Sequence, residues 1–322
     1  MFAITASGID PEDPLAGLAA SDRPEPTVPD GWTTVTVRAA SLNQHDLWSL
    51  RGVGLRSEQL PMVLGCDAAG VDEDGNAVIV HSVIPGSETV GQDETLDPKR
   101  SLLSEVYDGT FAERVAVPRR NLVPKPEGLS FEEAACLPTA WLTAYRMLFE
   151  LAQAQPGAPV LVQGAGGGVA SALIQLGGAA GYRVYATSRE EHKRARALEL
   201  GAYQVLESGE RLPERVDVVF DSVGQATWAH SLRSLRQGGR IVTCGATSGD
   251  APSAELRRVF FLQLSIVGCT MGRREQLENL AWMCTRAGIR PEIDRVLPLS
   301  EASAGFAAME RGELMGKVVF TV

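Results

Sequence analysis

Residues 159–189 read PVLVQGAGGGVASALIQLGGAAGYRVYATSR: a strand, a glycine turn, a helix and a second strand. Val160, Leu161 and Val162 form a short apolar run of the kind buried on both faces of a parallel sheet. Gly164-Ala165-Gly166-Gly167-Gly168 lets the chain turn tightly and lets backbone N–H groups approach a ligand with no Cβ in the way. Val169, Ala172, Leu173, Leu176 and Ala180 recur at helical spacing and place one apolar face on the sheet. Tyr182 to Thr187 supplies the second strand. Free N–H groups and the helix dipole both favour an anion where such a helix begins, so the segment predicts a dinucleotide-binding βαβ unit. The turn departs from GxGxxG at its last glycine: counting from Gly164 that place is Val169, and from Gly166 it is Ser171. The strand before and the helix after weigh the reading toward a ligand site over a buried glycine-rich loop.

The rest of the chain bounds what the unit serves. A length of 322 residues suggests about two domains. The formal net charge of −10 argues against nucleic acid as a partner, because no extended face neutralises phosphates. Five cysteines lie scattered without a CxxC pair, which predicts reduced thiols in a cytoplasmic protein. The start, MFAITASGIDPED, has no basic region followed by an apolar core, so no signal peptide is expected. From Leu151 to Tyr182 no residue is charged, a length that would span a bilayer. Pro156, Pro159 and repeated glycines break that run into strand and helix periods, so no membrane segment is expected.

Before the glycine turn the chain reads as mainly β. Phe2-Ala3-Ile4 predicts a first strand followed by a loose loop, and WTTVTVRA (32–39) alternates like a half-buried strand. Further strands are predicted over 77–84 and 109–117. From Ser130 onward, helical patterns and apolar strands alternate, which indicates a doubly wound parallel sheet. Phe131 to Leu151 is predicted helical, with Ser130 and Glu133 spaced as a capping box. Arg189 to Leu200 is a charged amphipathic helix closed by Gly201. Strands are predicted at 216–220, 240–244 and 264–268, and the last fifty or so residues return to the first domain.

The segments LNQHDLW (42–48), PMVLGCDAAG (61–70), DGTFAERVAVP (108–118), LPTAWLTAY (137–145), DSVG (221–224), GGRIVTCG (238–245) and GKVVF (316–320), with the glycine turn, stand in the order seen in the medium-chain dehydrogenase/reductase superfamily. The resemblance covers nearly the whole chain and points to its zinc-independent quinone oxidoreductase and enoyl reductase branch. It implies an α/β fold: a GroES-like, mainly β catalytic domain from residues 1–126 and 270–322, and a Rossmann domain at 127–269.

Cofactor choice is read at the tip of the second strand. An acidic residue there would hold a ribose diol and favour NAD. The place is Ser188, followed by Arg189, with Lys193 one helical turn on; a hydroxyl and two cations suit a 2′-phosphate, so NADPH is expected. The alternative is that Arg189, Lys193, Arg194 and Arg196 form a solvated helix face, and Glu190 and Glu191 dilute the local charge. By resemblance the zinc ligands of relatives fall at Asn43, Cys66 and Thr139. An amide and a hydroxyl are poor zinc ligands, and one cysteine does not make a three-ligand site, so no metal is expected. His81 and His230 read as surface or packed histidines.

Without a Lewis acid, the acceptor expected is a conjugated C=C–C=O system, a quinone or an enoyl compound, whose charge is spread on hydride transfer. An alcohol or carbonyl dehydrogenase with bound zinc, or a non-catalytic NADPH-binding sensor, are the alternatives. By resemblance Asn43 lies near nicotinamide and substrate, its amide available to a substrate oxygen, or else stabilises a turn. His45 reads as packed more readily than as the acid. Thr143 is expected to touch the cofactor through its hydroxyl, and Gly166, Gly167, Gly168 and Val169 to lie against the pyrophosphate. Gly245 and Ala246 follow a strand at the sheet's carboxyl end, and Cys269 and Met271, in GCTMG, complete that wall. Lys317 is assigned to cofactor or cleft, with a solvated lysine as the alternative. Trp48, Trp141, Phe261 and Met271 select substrate if they face the cleft. The apolar run RRVFFLQLSIVGCT (257–270) predicts an edge strand that pairs with a second copy, hence a homodimer acting on a small molecule.

Overall fold

The computed structural model describes residues 1–86 and 93–322. The chain forms two compact units, Met1–Leu142 with Met271–Val322, and Thr143–Thr270. In chain order the first unit opens with β1 (Phe2–Ala6), β2 (Leu18–Asp22), β3 (Trp32–Ser41), α1 (Gln44–Leu50), β4 (Met62–Val63), β5 (Asp67–Asp72) and β6 (Ala77–Val80). It continues with β7 (Val83–Ile84), β8 (Ser101–Leu102), β9 (Arg114–Pro118), β10 (Leu122–Pro124) and α2 (Phe131–Ala135). Wide helical turns at Leu137–Trp141 and Met147–Leu151 flank α3 (Leu142–Arg146). The second unit holds β11 (Pro159–Val162), α4 (Gly168–Ala179), β12 (Arg183–Ser188), α5 (Glu191–Glu199), β13 (Gln204–Glu207), β14 (Val216–Asp221), α6 (Gln225–Ser234), β15 (Leu235–Thr243), α7 (Leu256–Phe261) and β16 (Ser265–Gly268). The chain then returns to the first unit with α8 (Arg274–Ala287), β17 (Ile293–Pro298), α9 (Ala302–Glu310) and β18 (Lys317–Thr321).

The main sheet of the first unit runs β10-β6-β5-β3-β18-β17, with β9 also paired to β3. Ser41 pairs with Asp67 on one side and with Val319 on the other, so the ends of β5, β3 and β18 lie side by side. Phe111, Phe306 and Phe320 fill the core, with Phe111 edge-on to Phe320 at 5.2 Å. α2 packs on β3 and β5, so the unit boundary falls at 142/143 rather than at 126/127 as expected. Its capping box is present: Ser130 Oγ accepts from Glu133 N at 3.1 Å, and Glu133 Oε2 accepts from Ser130 N at 2.9 Å.

Three sequence expectations are corrected here. The segment after β1 is not a loose loop throughout, because β2 pairs antiparallel with β1 over its full length. The run 77–84 breaks at His81-Ser82, where His81 N donates to Asn121 O and the Ser82 hydroxyl donates to Cys66 O. Residues 109–111 bond back to Val63, Leu64 and Gly65, so the strand predicted from 109 starts at Arg114.

The second unit is a six-stranded parallel sheet in the order β13-β12-β11-β14-β15-β16. Counted from β11 this is 3-2-1-4-5-6, the doubly wound order whose ligand crevice lies beyond the strands' carboxyl ends, beside the first strand. The uncharged stretch 151–182 resolves into β11 and α4, and among the described residues no helix is long and apolar enough to cross a membrane.

Candidate functional site

In the second unit, the carboxyl end of β11 carries the glycine turn. Gly164 adopts φ +71°, and a Cβ there would stand 2.7 Å from Val223 Cγ2, so both conformation and space call for glycine. Ala165 N donates to Thr187 O at 2.7 Å and ties the turn to the end of β12. At Gly167 a Cβ would meet nothing within 4 Å. No side-chain hydrogen bond caps α4 at Gly167, which leaves the first N–H groups of Gly168 and Val169 to an outside acceptor. Gly166 lies in the same turn.

Behind the turn is a buried polar network that sequence reasoning missed. Gln163 Oε1 accepts from Thr187 Oγ1 at 2.6 Å, and its Nε2 donates to His230 Nδ1 at 2.8 Å and to Ser231 Oγ at 3.1 Å. Ser231 donates on to Asp221 Oδ2 at 2.7 Å, and Asp221 Oδ1 accepts from Val223 N and Gly224 N, both at 2.9 Å. His230 Nε2 donates to Glu210 O at 2.8 Å, and burial lowers its pKa, so the ring is neutral and structural. The DSVG motif was the signal for this network, because an aspartate at a strand's end is placed to gather the N–H groups of the turn after it.

At the tip of β12, Ser188 is buried and Arg189 exposed. Lys193 is buried as well, and its Nζ donates to Glu190 Oε1 at 2.8 Å. That bond holds the Glu190 carboxyl below its usual range. Lys193 therefore spends its charge on Glu190, while Arg189 stays exposed. Gly245 and Ala246 follow β15, and Cys269 follows β16, where Cys269 N donates to Thr243 O at 2.8 Å and its Sγ lies 3.9 Å from Thr143 O. Thr143 and Cys269 are thus brought together in the second unit, whereas Met271 belongs to the first, buried at φ +54°.

In the first unit, Asn43, Asp67, Thr139 and Lys317 converge where β3 ends and β5 and β18 begin. Lys317 Nζ donates to Asn43 Oδ1 at 2.6 Å and to Leu42 O at 2.7 Å, and lies 3.5 Å from Asp67 Oδ2. Asn43 Nδ2 donates to Asp67 Oδ2 at 2.9 Å and to Ser41 O at 3.2 Å. Ser41 Oγ donates to Asp67 Oδ2 at 3.0 Å, and Thr139 Oγ1 donates to Asp67 Oδ1 at 2.6 Å. Two expectations change. Lys317 is neither solvated nor on a surface; its side chain is 3% exposed. The Asn43 amide is spent on all sides, so it has no free N–H for a substrate oxygen. Gly316 delivers the lysine: at φ +97° it passes so close to Glu292 O that a Cβ would sit 2.3 Å from that oxygen.

A second cluster adjoins on α1. Cys66 Sγ lies 3.2 Å from His45 Nδ1, and His45 Nε2 lies 3.0 Å from Glu105 Oε1. Burial pushes the Cys66 thiol up. Burial works against charge on His45, but Cys66 and Glu105 outweigh it, and the imidazole is held well above its ordinary value. Asp46 accepts from Asn43 N at 2.8 Å and Gly65 N at 3.1 Å, and burial raises its carboxyl to about 6. His45, Asp46 and Cys66 place ligand-type atoms within 4.8 Å of one another. The family's zinc places do not fit zinc: the Asn43 and Thr139 side chains are consumed by Asp67 and an ammonium ion, and only Cys66 offers a thiol. His81 is packed, with Nε2 donating to Gly272 O at 2.8 Å. Trp141 is fully buried core, which removes it from the residues expected to select substrate.

Comparison with known proteins gives matches along the chain. Residues 29–127 match the alcohol dehydrogenase GroES-like domain, and residues 168–286 match the zinc-binding dehydrogenase domain. The acryloyl-coenzyme A reductase of Metallosphaera sedula is 30% identical over 95% of this chain and 96% of its own. A crystal structure of an NAD-dependent alcohol dehydrogenase is 33% identical with a TM-score of 0.92, covering 100% of both chains. A 2-octenoyl-CoA carboxylase reductase solved with NADP and 2-octenoyl-CoA is 25% identical with a TM-score of 0.90, covering 99% of this chain and 87% of that one.

Proposed function

The chain belongs to the medium-chain dehydrogenase/reductase superfamily, and from that membership we propose that it reduces the C=C bond of an α,β-unsaturated acyl thioester with NADPH. The observation that carries the reading is the end-to-end similarity to the acryloyl-coenzyme A reductase. The octenoyl-CoA relative supports it; a quinone, the other acceptor class expected, has no counterpart among the relatives above. The chemistry agrees with the first unit. A conjugated thioester takes hydride at the β-carbon, its π electrons move to the α-carbon and thioester oxygen, and a proton from water completes the saturated product. That route needs no metal on oxygen.

NADPH, when bound, supplies the hydride. The chain's part is to hold it: the N–H groups of Gly168 and Val169 for the pyrophosphate, and Arg189 beside Ser188 for the 2′-phosphate. Glu190 follows closely and is paired with Lys193, while Glu191 stands exposed after it. Gly166, Gly167, Gly245, Ala246, Cys269 and Thr143 form the rest of the proposed cofactor wall in the second unit, while Met271 and Lys317 lie in the first.

The test is NADPH oxidation with acryloyl-CoA and longer enoyl-CoA substrates, with NADH compared at equal concentration. The expected result is turnover with a kcat/KM ratio well above one in favour of NADPH. A ratio near one overturns the cofactor assignment. The alcohol dehydrogenase likeness favours a second reading, and alcohol oxidation with stoichiometric zinc would replace the first with it.

A further inference from the structure

We propose that the second unit carries a separate anion site, for a ligand with two or more linked phosphate groups, in a cavity lined by α6 and by the crossover that joins β13 to β14. The cavity measures about 470 Å³, and its lining includes Arg211, Leu212, Glu214, Arg215, His230 and Arg233. Local structure sets these side chains. Leu212 turns inward and joins the unit's hydrophobic core, which leaves Arg211 and Arg215 exposed on either side of it. His230 is a buried floor held at both ring nitrogens, by Gln163 and by Glu210 O, and Ser234 Oγ donates to its backbone oxygen at 2.8 Å. Arg233 is exposed three residues further along α6. Burial lowers the His230 pKa and the Arg233 charge adds to that effect, so the guanidinium stands near the floor.

Charge singles this cavity out on a chain whose net charge is −10. The acids around it are engaged elsewhere. Glu214 Oε2 accepts from Arg183 Nη2 at 3.0 Å and its Oε1 from the Tyr185 hydroxyl at 2.6 Å. Glu210 Oε2 accepts from Glu207 N at 3.0 Å, and Asp217 is held by Arg236 at 2.6 and 3.1 Å. Among the described residues, no hydrogen bond or ion pair takes up the side chains of Arg211, Arg215 and Arg233. Three cations thus meet one lining carboxylate that already has its own arginine, and the surplus favours an anion. A guanidinium presents a planar fork that matches two phosphate oxygens at once, and three forks suit more than one phosphate group. The volume lies within the range of small-ligand sites, about 300–1,000 Å³, which leaves room beside the phosphates for an organic body against Leu212.

This inference does not depend on the substrate or cofactor proposed above, and its test reads binding rather than turnover. Inorganic pyrophosphate and ADP are titrated by calorimetry into the wild type, R211Q/R233Q and R189Q at one ionic strength, with NADPH present throughout so that the glycine turn does not compete for the probe. Each substitution replaces an exposed side chain, and far-UV circular dichroism checks that the fold is kept. The wild type is expected to bind, R211Q/R233Q to bind at least about tenfold more weakly, and R189Q to match the wild type. Tighter binding of ADP than of pyrophosphate marks an organic phosphate as the ligand, and equal binding marks the inorganic anion; both support the site. No binding by the wild type, equal affinity in R211Q/R233Q, or an equal loss in R189Q overturns the proposal.

Discussion

Cys136 ends α2 with its Sγ donating to Glu132 O at 3.2 Å, and burial pushes its thiol up to about 12 from an ordinary value of 9.0. The folded chain therefore keeps this proton through a range in which the unfolded chain loses it. The unfolded state binds fewer protons above about pH 9, so stability falls as pH rises, by about 1.4 kcal/mol per pH unit for one thiol. Urea unfolding between pH 8 and 10.5 is expected to show that decline, and Cys136→Ala is expected to flatten it by one thiol's share. An unchanged slope would mean the Cys136 thiolate is tolerated in the fold. Residues also correct one another at this scale. Asn43 and Lys317 were each singled out as touching substrate or cofactor, and the structure bonds them to each other. Asp67, which gathers that cluster, sat unremarked inside the GCDAAG motif.

Among the elements, β16 is an edge strand with an apolar residue exposed beside aromatics. It ends the second unit's sheet, paired only to β15, and Ile266 points outward. The helix before it, α7, exposes Phe260 by 70% and Phe261 by 74%. An apolar edge beside exposed aromatics is a template for a second strand, and we propose that a second copy of the chain covers it. A homodimer at micromolar concentration is expected by light scattering. Ile266→Lys is expected to shift it toward monomer while leaving the far-UV circular dichroism unchanged; a wild-type monomer removes the proposal. The glycine turn, α4 and β12 stand where the sequence put them, because their signals are local: apolar runs, a turn that needs glycine, and helical spacing. The strands predicted at 77–84 and 109–117 shifted because distant bonds to Asn121 and to residues 63–65 outbid local alternation.

For the molecule as a whole, the proposed cofactor links binding to stability. A ligand that binds only the folded state adds about 2.7 kcal/mol at one hundred times its Kd, and NADPH is expected to raise Tm more than NADH at equal concentration. Equal shifts would argue against Arg189 and Ser188 as a phosphate site. The two-unit layout, the parallel sheet and the dinucleotide turn were legible in the chain, because each rests on patterns of a few dozen neighbouring residues: apolar periodicity, turn chemistry and helix ends. The state of the first unit's cluster was not. Lys317 and Asn43 lie 274 positions apart, and no local pattern records that β18 returns beside β3. That pairing carries a lysine into the core, sets it against Asp67 and uses up the amide that the motif alone had left free. Burial supplies the physical reason: an ammonium out of water must find a carboxylate and carbonyl oxygens, and which ones it finds is settled by strand neighbours distant in sequence.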